Sequence, residues 1–218
     1  MDCVRKAGIK AFTDRYKRFC KHHGYEFQEA RAKAIHTDSR ELISTLPKDV
    51  IYKELIQESI RQLNLLSENV EHIRKTMNEL ASTLPEYDTV MHMYGVGPTF
   101  GPQLIAEIGD ISRFQHREAL TAYAGVDPGK NDSGQKVHNS NHASKCGPSR
   151  LRRTLFQIMT TMLQNGVKED DAVSKFLFKK KAENKPYLVY MTAGANKFLR
   201  VYYGNVKECL RNQEQSEQ

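Results

Sequence analysis

The chain has 218 residues with 39% hydrophobic content, no Trp and a formal net charge of +7. That size allows one compact domain plus an extended element, or two small domains. No apolar run approaches the roughly 20 residues that cross a bilayer, and the basic N-terminus lacks a signal-peptide core, so membrane and secretory readings are set aside. Four scattered cysteines (Cys3, Cys20, Cys146, Cys209) without framework spacing suit free thiols in a cytoplasmic protein.

Charge is unevenly placed. Residues 1–23 carry seven Lys/Arg against two Asp, 129–153 carry six against one, and 175–200 carry seven against Glu183. Residues 48–84, with five basic and six acidic residues, are nearly neutral. Basic blocks around a neutral one favour a polyanionic partner for the blocks and a different task for the middle.

In chain order, residues 2–23 read as a helix with Val4, Phe12, Tyr16 and Phe19 on one face and Gly24 as its stop. The polar stretch from His36 to Ser44 carries no clear pattern. Then Tyr52, Ile56, Ser59, Leu63, Leu66, Val70, Ile73, Met77, Leu80 and Leu84 repeat at 4-3-4-3 spacing, nine of the ten apolar. A period of 3.5 residues predicts a coiled coil joining copies of the chain, against the alternative of a long helix packed in its own domain. Pro47 suits its start and Pro85 its end.

Gly95-Val96-Gly97-Pro98 predicts a tight turn between a short helix and one ending at Gly109, the pattern of a helix-hairpin-helix. Gly95 and Gly97 would let backbone amides approach a DNA phosphate; the alternative is a glycine turn joining two packed helices. Pro102 requires the first turn of the second helix. Arg117–Ala124 predicts another short helix, broken by Gly125. Next comes "GKNDSGQKVHNSNHASKCGPSRLRR", residues 129–153, a loop or small β-hairpin feeding a helix from about Pro148. That helix carries an apolar stripe of Leu151, Leu155, Ile158, Met159 and Met162. Arg150, Arg152 and Arg153 in its first turn oppose the helix dipole, which calls for an external anion. Further helices are predicted over about 170–182 and from Pro186 past Tyr203. The last turns Leu188, Met191, Ala195, Phe198, Leu199 and Tyr202 inward.

The fold class is therefore mainly α, a long coiled-coil helix plus a compact helical domain. Residues 1–86 form the basic helix and coil, 87–212 the helical domain, and 213–218 a disordered tail. His138, His142 and Cys146 have zinc-compatible spacing but no evident fourth ligand, and no metal site is assigned. Taken alone, Asp132-Ser133-Gly134 is a turn tripeptide.

In order and spacing, "YGVGPTFGPQLIAEIGDISRF", "LTAYAGVDP", "SGQKV", "SKCGPSRLRRTLF" and, less strongly, "KPYLVYMTAGANKFLRVYY" resemble the C-terminal region of a bacterial insertion-sequence transposase family. Its full-length members pair an acidic RNase-H-like domain with a serine-bearing transposase domain, and better-studied members use a structured guide RNA to choose their DNA. The resemblance implies that Ser133 is the nucleophile that links covalently to DNA and that Gly134 completes its motif. It also matches Lys145, Gly147, Arg150, Leu151, Arg152 and Arg153 to the downstream basic motif. Phosphoryl transfer needs positive charge on the non-bridging oxygens, which Lys136, Lys145, Arg150 and Arg153 would supply. Pro148 stands where the family usually has Asn. The acidic domain has no counterpart in these residues, so magnesium is expected only with that domain, and the resemblance implies a truncated or split enzyme. The implied partners are DNA, a guide RNA and a second copy of the chain. The competing reading is a non-catalytic remnant that binds nucleic acid and dimerises.

Overall fold

The computed structural model describes residues 2–41, 49–128 and 143–216. Ser133, Gly134, Lys136, His138, His142 and Pro47 lie outside these residues. The described residues are mainly helical, with one isolated antiparallel bridge between Pro128 and Ala143. The chain divides into two compact units, residues 1–66 and 67–218.

In the first unit the expected single basic helix is two: α1 (Asp2–Arg5) and α2 (Ile9–His23), with the backbone extended at Gly8. Glycine tolerates this break at low cost because it is a poor helix former. Gly24 ends α2 in the left-handed conformation, as expected of a C-terminal glycine. Helix α3 (Glu29–Glu41) packs on α1 and α2 and takes in residues 36–41 of the stretch without a clear pattern, while 42–44 lie outside the described residues. Its inward face is small or polar (Ala32, His36, Ser39), so a hydrophobic reading finds nothing. His36 Nε2 donates to the Ala7 carbonyl at 2.9 Å, and the ring lies 5.9 Å from that of Phe12. Arg5 Nε donates to the Ser39 carbonyl. Phe12 is buried, but Phe19, expected on the same face, is 50% exposed and pairs with His23 and Tyr25 instead.

The heptad segment is one helix, α4 (Val50–Ala81); Ser82–Leu84 turn out of it, so the last seam residue lies beyond the helix. Ala81 is its one buried residue, while Leu66 and Ile73 on the seam are 61% and 57% exposed. Leucine and isoleucine at regular spacing on a solvent face define an apolar stripe rather than scattered exposure.

The second unit holds the larger core. It contains α5 (Tyr87–Met91), α6 (Phe100–Ile108), a 3-10 turn (Ile111–Arg113), α7 (Arg117–Ala124), α8 (Ser149–Asn165), α9 (Ala172–Ala182) and α10 (Tyr187–Ser216). The predicted stripe of α8 is wholly buried, against α6 on one side and α9 and α10 on the other. On α10, Met191, Ala195, Phe198, Leu199 and Tyr202 enter the core as predicted. Leu188 does not: it stands 65% exposed on the first turn of α10. Burial pushes the Tyr202 hydroxyl pKa up, keeping it neutral in the core.

Pro102 is the third residue of α6, within the first turn, where its missing N–H costs no helical bond. At the C-terminus, residues 213–216 are helical and not a tail. Gln213 Nε2 donates to the Pro85 carbonyl at 3.4 Å, and Cys209 Sγ lies 3.5 Å from the same oxygen. These contacts hold the polar end of α10 on the turn after α4, which composition alone does not reveal.

Candidate nucleic-acid interface

The segment that carries Ser133 lies between Pro128 and Ala143, and the described residues on either side of it pair in a narrow neck. Ser144 N–H donates to the Asp127 carbonyl at 3.0 Å, and Lys145 N–H donates to the Gly125 carbonyl at 3.1 Å. Ser144 Oγ donates to Asp127 Oδ1 at 2.5 Å. Arg152 clamps the base, its Nη1 donating to the carbonyls of Gly147 at 2.9 Å and Ala124 at 3.2 Å. From α10, Asn196 Nδ2 reaches the Val126 carbonyl at 3.4 Å.

Two glycines permit this approach. Gly125 caps α7 at φ 65°, and a Cβ there would lie 2.9 Å from the Lys145 backbone. Gly147 has φ 147°, and a Cβ would lie 1.9 Å from the Tyr123 carbonyl oxygen, inside its van der Waals surface. Lys145 is itself left-handed at φ 52°, a conformation that non-glycine residues adopt only when their surroundings impose it.

The energetics are consistent with a fixed neck. Closing a loop of about 15 residues costs roughly 2–3 kcal/mol of chain entropy. The five hydrogen bonds from Ser144, Lys145 and Arg152, at about 0.5–1.5 kcal/mol each, offset that cost.

At the foot of the neck α8 begins. Pro148 is its N-cap and offers no side-chain bond to the first amides, and no acid stands in the first turn. Arg150 and Arg153 are exposed, their guanidinium groups make no hydrogen bond or ion pair among the described residues, and Lys145 is exposed as well. Helix amides and cations of one sign thus face outward together, an arrangement that favours an anion. Arg152, predicted with them as a phosphate ligand, has Nη1 engaged by two carbonyls and is half-buried. The difference arises from helix geometry: 150 and 153 share one side of α8, while 152 is turned about 100° or more from each toward α7.

The two turn glycines are unlike each other. Gly95, at φ 80°, lies against α8, where a Cβ would come within 2.8 Å of Met162 Cγ. Around Gly97 there is open space, and its carbonyl accepts the Phe100 and Gly101 amides that open α6.

Sequence reading missed the Asp127–Ser144 pair and the structural use of Arg152. The signal available was the pair of glycines, Gly125 and Gly147, flanking the basic loop. Among the described residues no three His, Cys, Asp or Glu side chains group as a metal site, and Cys20, Cys146 and Cys209 are free thiols. No described helix is long and apolar enough to cross a membrane.

These features define an α-helical domain with a basic helix start beside a hydrogen-bonded neck. Residues 87–172 match the family described as the IS116/IS110/IS902 family of transposases. The match runs from the start of α5 to the first residue of α9 and so contains the whole neck. The chain is 25% identical over 174 residues to the insertion element IS116 uncharacterized 44.8 kDa protein of Streptomyces clavuligerus, covering 79% of this chain and 42% of that protein. It is 37% identical over 62 residues to the pilin gene-inverting protein of Moraxella bovis, covering 28% of this chain and 19% of that protein. The pilin gene-inverting protein of Moraxella lacunata matches to the same extent. The chain thus spans less than half the length of these relatives.

Proposed function

We propose that the second unit is the DNA-engaging part of a transposase, with Ser133 as the nucleophile of strand exchange. The observation that carries the reading is the family match over 87–172, which contains the Ser133 segment, the neck and the open basic start of α8. A relative named for gene inversion supports DNA rearrangement as the general activity.

In this reading Ser133 Oγ attacks a backbone phosphorus. An O–P bond forms to serine, the bond from phosphorus to one sugar oxygen breaks, and the serine proton passes to the leaving oxygen through a base. A hydroxyl from another strand reverses the step, releasing Ser133. Lys136, Lys145, Arg150 and Arg153 stabilise charge on the phosphoryl oxygens. Gly134 gives the backbone room beside the nucleophile. Gly97 and the opening amides of α6 add sequence-independent phosphate contact, with Gly95 holding the turn on α8. Magnesium would belong to the acidic domain of the resemblance, whose clustered carboxylates could hold it.

The arginines separate contact from scaffold. With about six phosphates engaged, affinity for duplex DNA falls on the order of 10³-fold between 50 and 200 mM salt. Arg150→Gln with Arg153→Gln weakens binding for all sequences and lowers the slope of log affinity against log salt by about 2, with thermal stability unchanged. Arg152→Gln lowers thermal stability instead. Fluorescence anisotropy across a salt series, with melts of each variant, checks both. An unchanged slope in the double variant would make the start of α8 an ordinary solvated surface.

A second copy of the chain is the proposed occupant of the α4 stripe. Leu66→Asp with Ile73→Asp places charge in the seam and converts an oligomer to monomers. Sedimentation velocity reads the change directly; a wild-type chain already monomeric at tens of micromolar, on the order expected even for weak coils, removes the intermolecular seam.

A further inference from the structure

The corner between α9 and α10 lies outside the machinery assigned above, and its composition is unusual for a surface. Tyr187, Leu188 and Val189 open α10 and are 51%, 65% and 51% exposed. Four residues, Glu183 to Pro186, separate them from the C-terminal turn of α9, which carries Lys179, Lys180 and Lys181. The connection is tight: Glu183 N–H donates to the Lys179 carbonyl at 3.1 Å, Asn184 N–H to the Lys181 carbonyl at 3.1 Å, and Val189 N–H to the Pro186 carbonyl at 2.9 Å. Asn184 turns the chain in the left-handed conformation at φ 53°.

Three of the lysines, Lys179, Lys180 and Lys185, gather about one acid, while Lys181 Nζ lies 5.8 Å from the Phe178 ring centroid. Glu183 is the single acid among them, and Lys180 Nζ reaches its two carboxylate oxygens at 2.8 and 3.0 Å. The hydrogen bond from Lys180 holds the Glu183 carboxyl below its usual range, and the nearby charges of Lys179 and Lys185 add to it. One carboxylate among Lys179, Lys180, Lys181 and Lys185 leaves a net positive corner. Beside it the Tyr187 ring is held edge-on to Tyr190, with centroids 5.5 Å apart, which presents an aromatic face already ordered by its neighbour.

An exposed aromatic and aliphatic platform edged by flexible cations matches one ligand chemistry: bases offered by their faces and phosphates along one side. A duplex hides its base faces in the stack and has no use for the platform. We propose that the α9–α10 corner binds an unpaired DNA strand, with bases stacking on Tyr187 and Leu188 and phosphates meeting Lys179, Lys181 and Lys185. The inference rests on the strand-exchange reading, since unpaired DNA arises when a duplex opens for exchange. It names a surface that reading does not use.

The test measures anisotropy of the chain with a labelled oligo-dT, an oligo-rU and a duplex, together with flotation on phosphatidylserine vesicles. Tyr187→Ala with Leu188→Ala is expected to weaken oligo-dT binding roughly tenfold or more, the scale of losing about one stacked base, with duplex affinity held within about threefold. Tyr187→Phe retains the ring face and restores most of the loss. Lys179→Gln, Lys181→Gln and Lys185→Gln together lower the oligo-dT salt slope by about 2. The inference is overturned by unchanged oligo-dT affinity in the alanine variant, by equal losses on duplex, by tighter binding of oligo-rU than oligo-dT, or by vesicle binding that the lysine variant abolishes while strand binding persists. The two readings fail separately: the duplex salt series of Arg150 and Arg153 reports on the α8 surface alone, and the oligo-dT arm reports on this corner.

Discussion

Replacing Ser133 by Ala is expected to abolish the covalent protein–DNA adduct. The hydroxyl is the atom that would bond to phosphorus, and no other group on the side chain can take its place, so adduct yield falls by a factor on the order of 10³ or more. The measurement is a denaturing gel of DNA-end substrates incubated with the chain, the acidic domain of a family member supplied separately, and magnesium. Noncovalent DNA affinity stays within about twofold, because the proposed phosphate contacts come from Lys136, Lys145, Arg150 and Arg153 rather than from the hydroxyl. An adduct that persists in Ser133→Ala removes this residue from the mechanism. DNA binding with no adduct in the wild-type chain under every condition favours the non-catalytic, DNA-binding reading instead.

The second large effect is structural. Gly147→Ala forces a methyl to within 1.9 Å of the Tyr123 carbonyl oxygen, a backbone atom that cannot swing aside as a side chain would. The neck must open, losing the Arg152 bonds to Gly147 and Ala124 and the pairing of Ser144 and Lys145 with Asp127 and Gly125. We expect a loss of about 3 kcal/mol, within the range for backbone strain combined with several broken hydrogen bonds. In a chain of this size that lowers the melting temperature by roughly 6–12 °C. Faster hydrogen exchange at the Ser144 and Lys145 amides would place the damage at the neck. Gly97→Ala is the control: the space beside Gly97 is open, and its effect stays within about 1 kcal/mol. A melting temperature unchanged in Gly147→Ala would show that the neck contributes nothing to stability.

The neck also bears on how the arginines are read. On sequence, "SRLRR" offers three equivalent cations at a helix start. The fold makes them unequal, since one faces the Gly147 and Ala124 carbonyls and the others face solvent. Surface ion pairs elsewhere in the second unit, such as Arg200 with Glu118 at 3.0 Å, join α10 to α7 but are exposed and contribute little.

Periodic hydrophobicity made most helices legible. Arg117–Ala124 and the buried stripe of α8 follow from spacing and glycine stops, because a helix that buries one face must repeat its apolar residues near every 3.6 positions. The same rule failed at α3, whose inward face is alanine, histidine and serine. It failed in the other direction at Leu188, which has the right spacing but is exposed.

By itself the sequence determined the helical class, the long heptad helix, the basic segment with its glycine flanks and the resemblance that points to Ser133. Each is encoded locally, in residue type and short-range spacing. Tertiary structure decided that Arg152 is a clamp, that Asp127 and Ser144 pair across the neck, that Gly95 packs on α8, and that Tyr187–Val189 stand exposed at the start of α10. Those outcomes depend on which distant segments meet, and a side chain's partner across the fold is not written in its own neighbours along the chain.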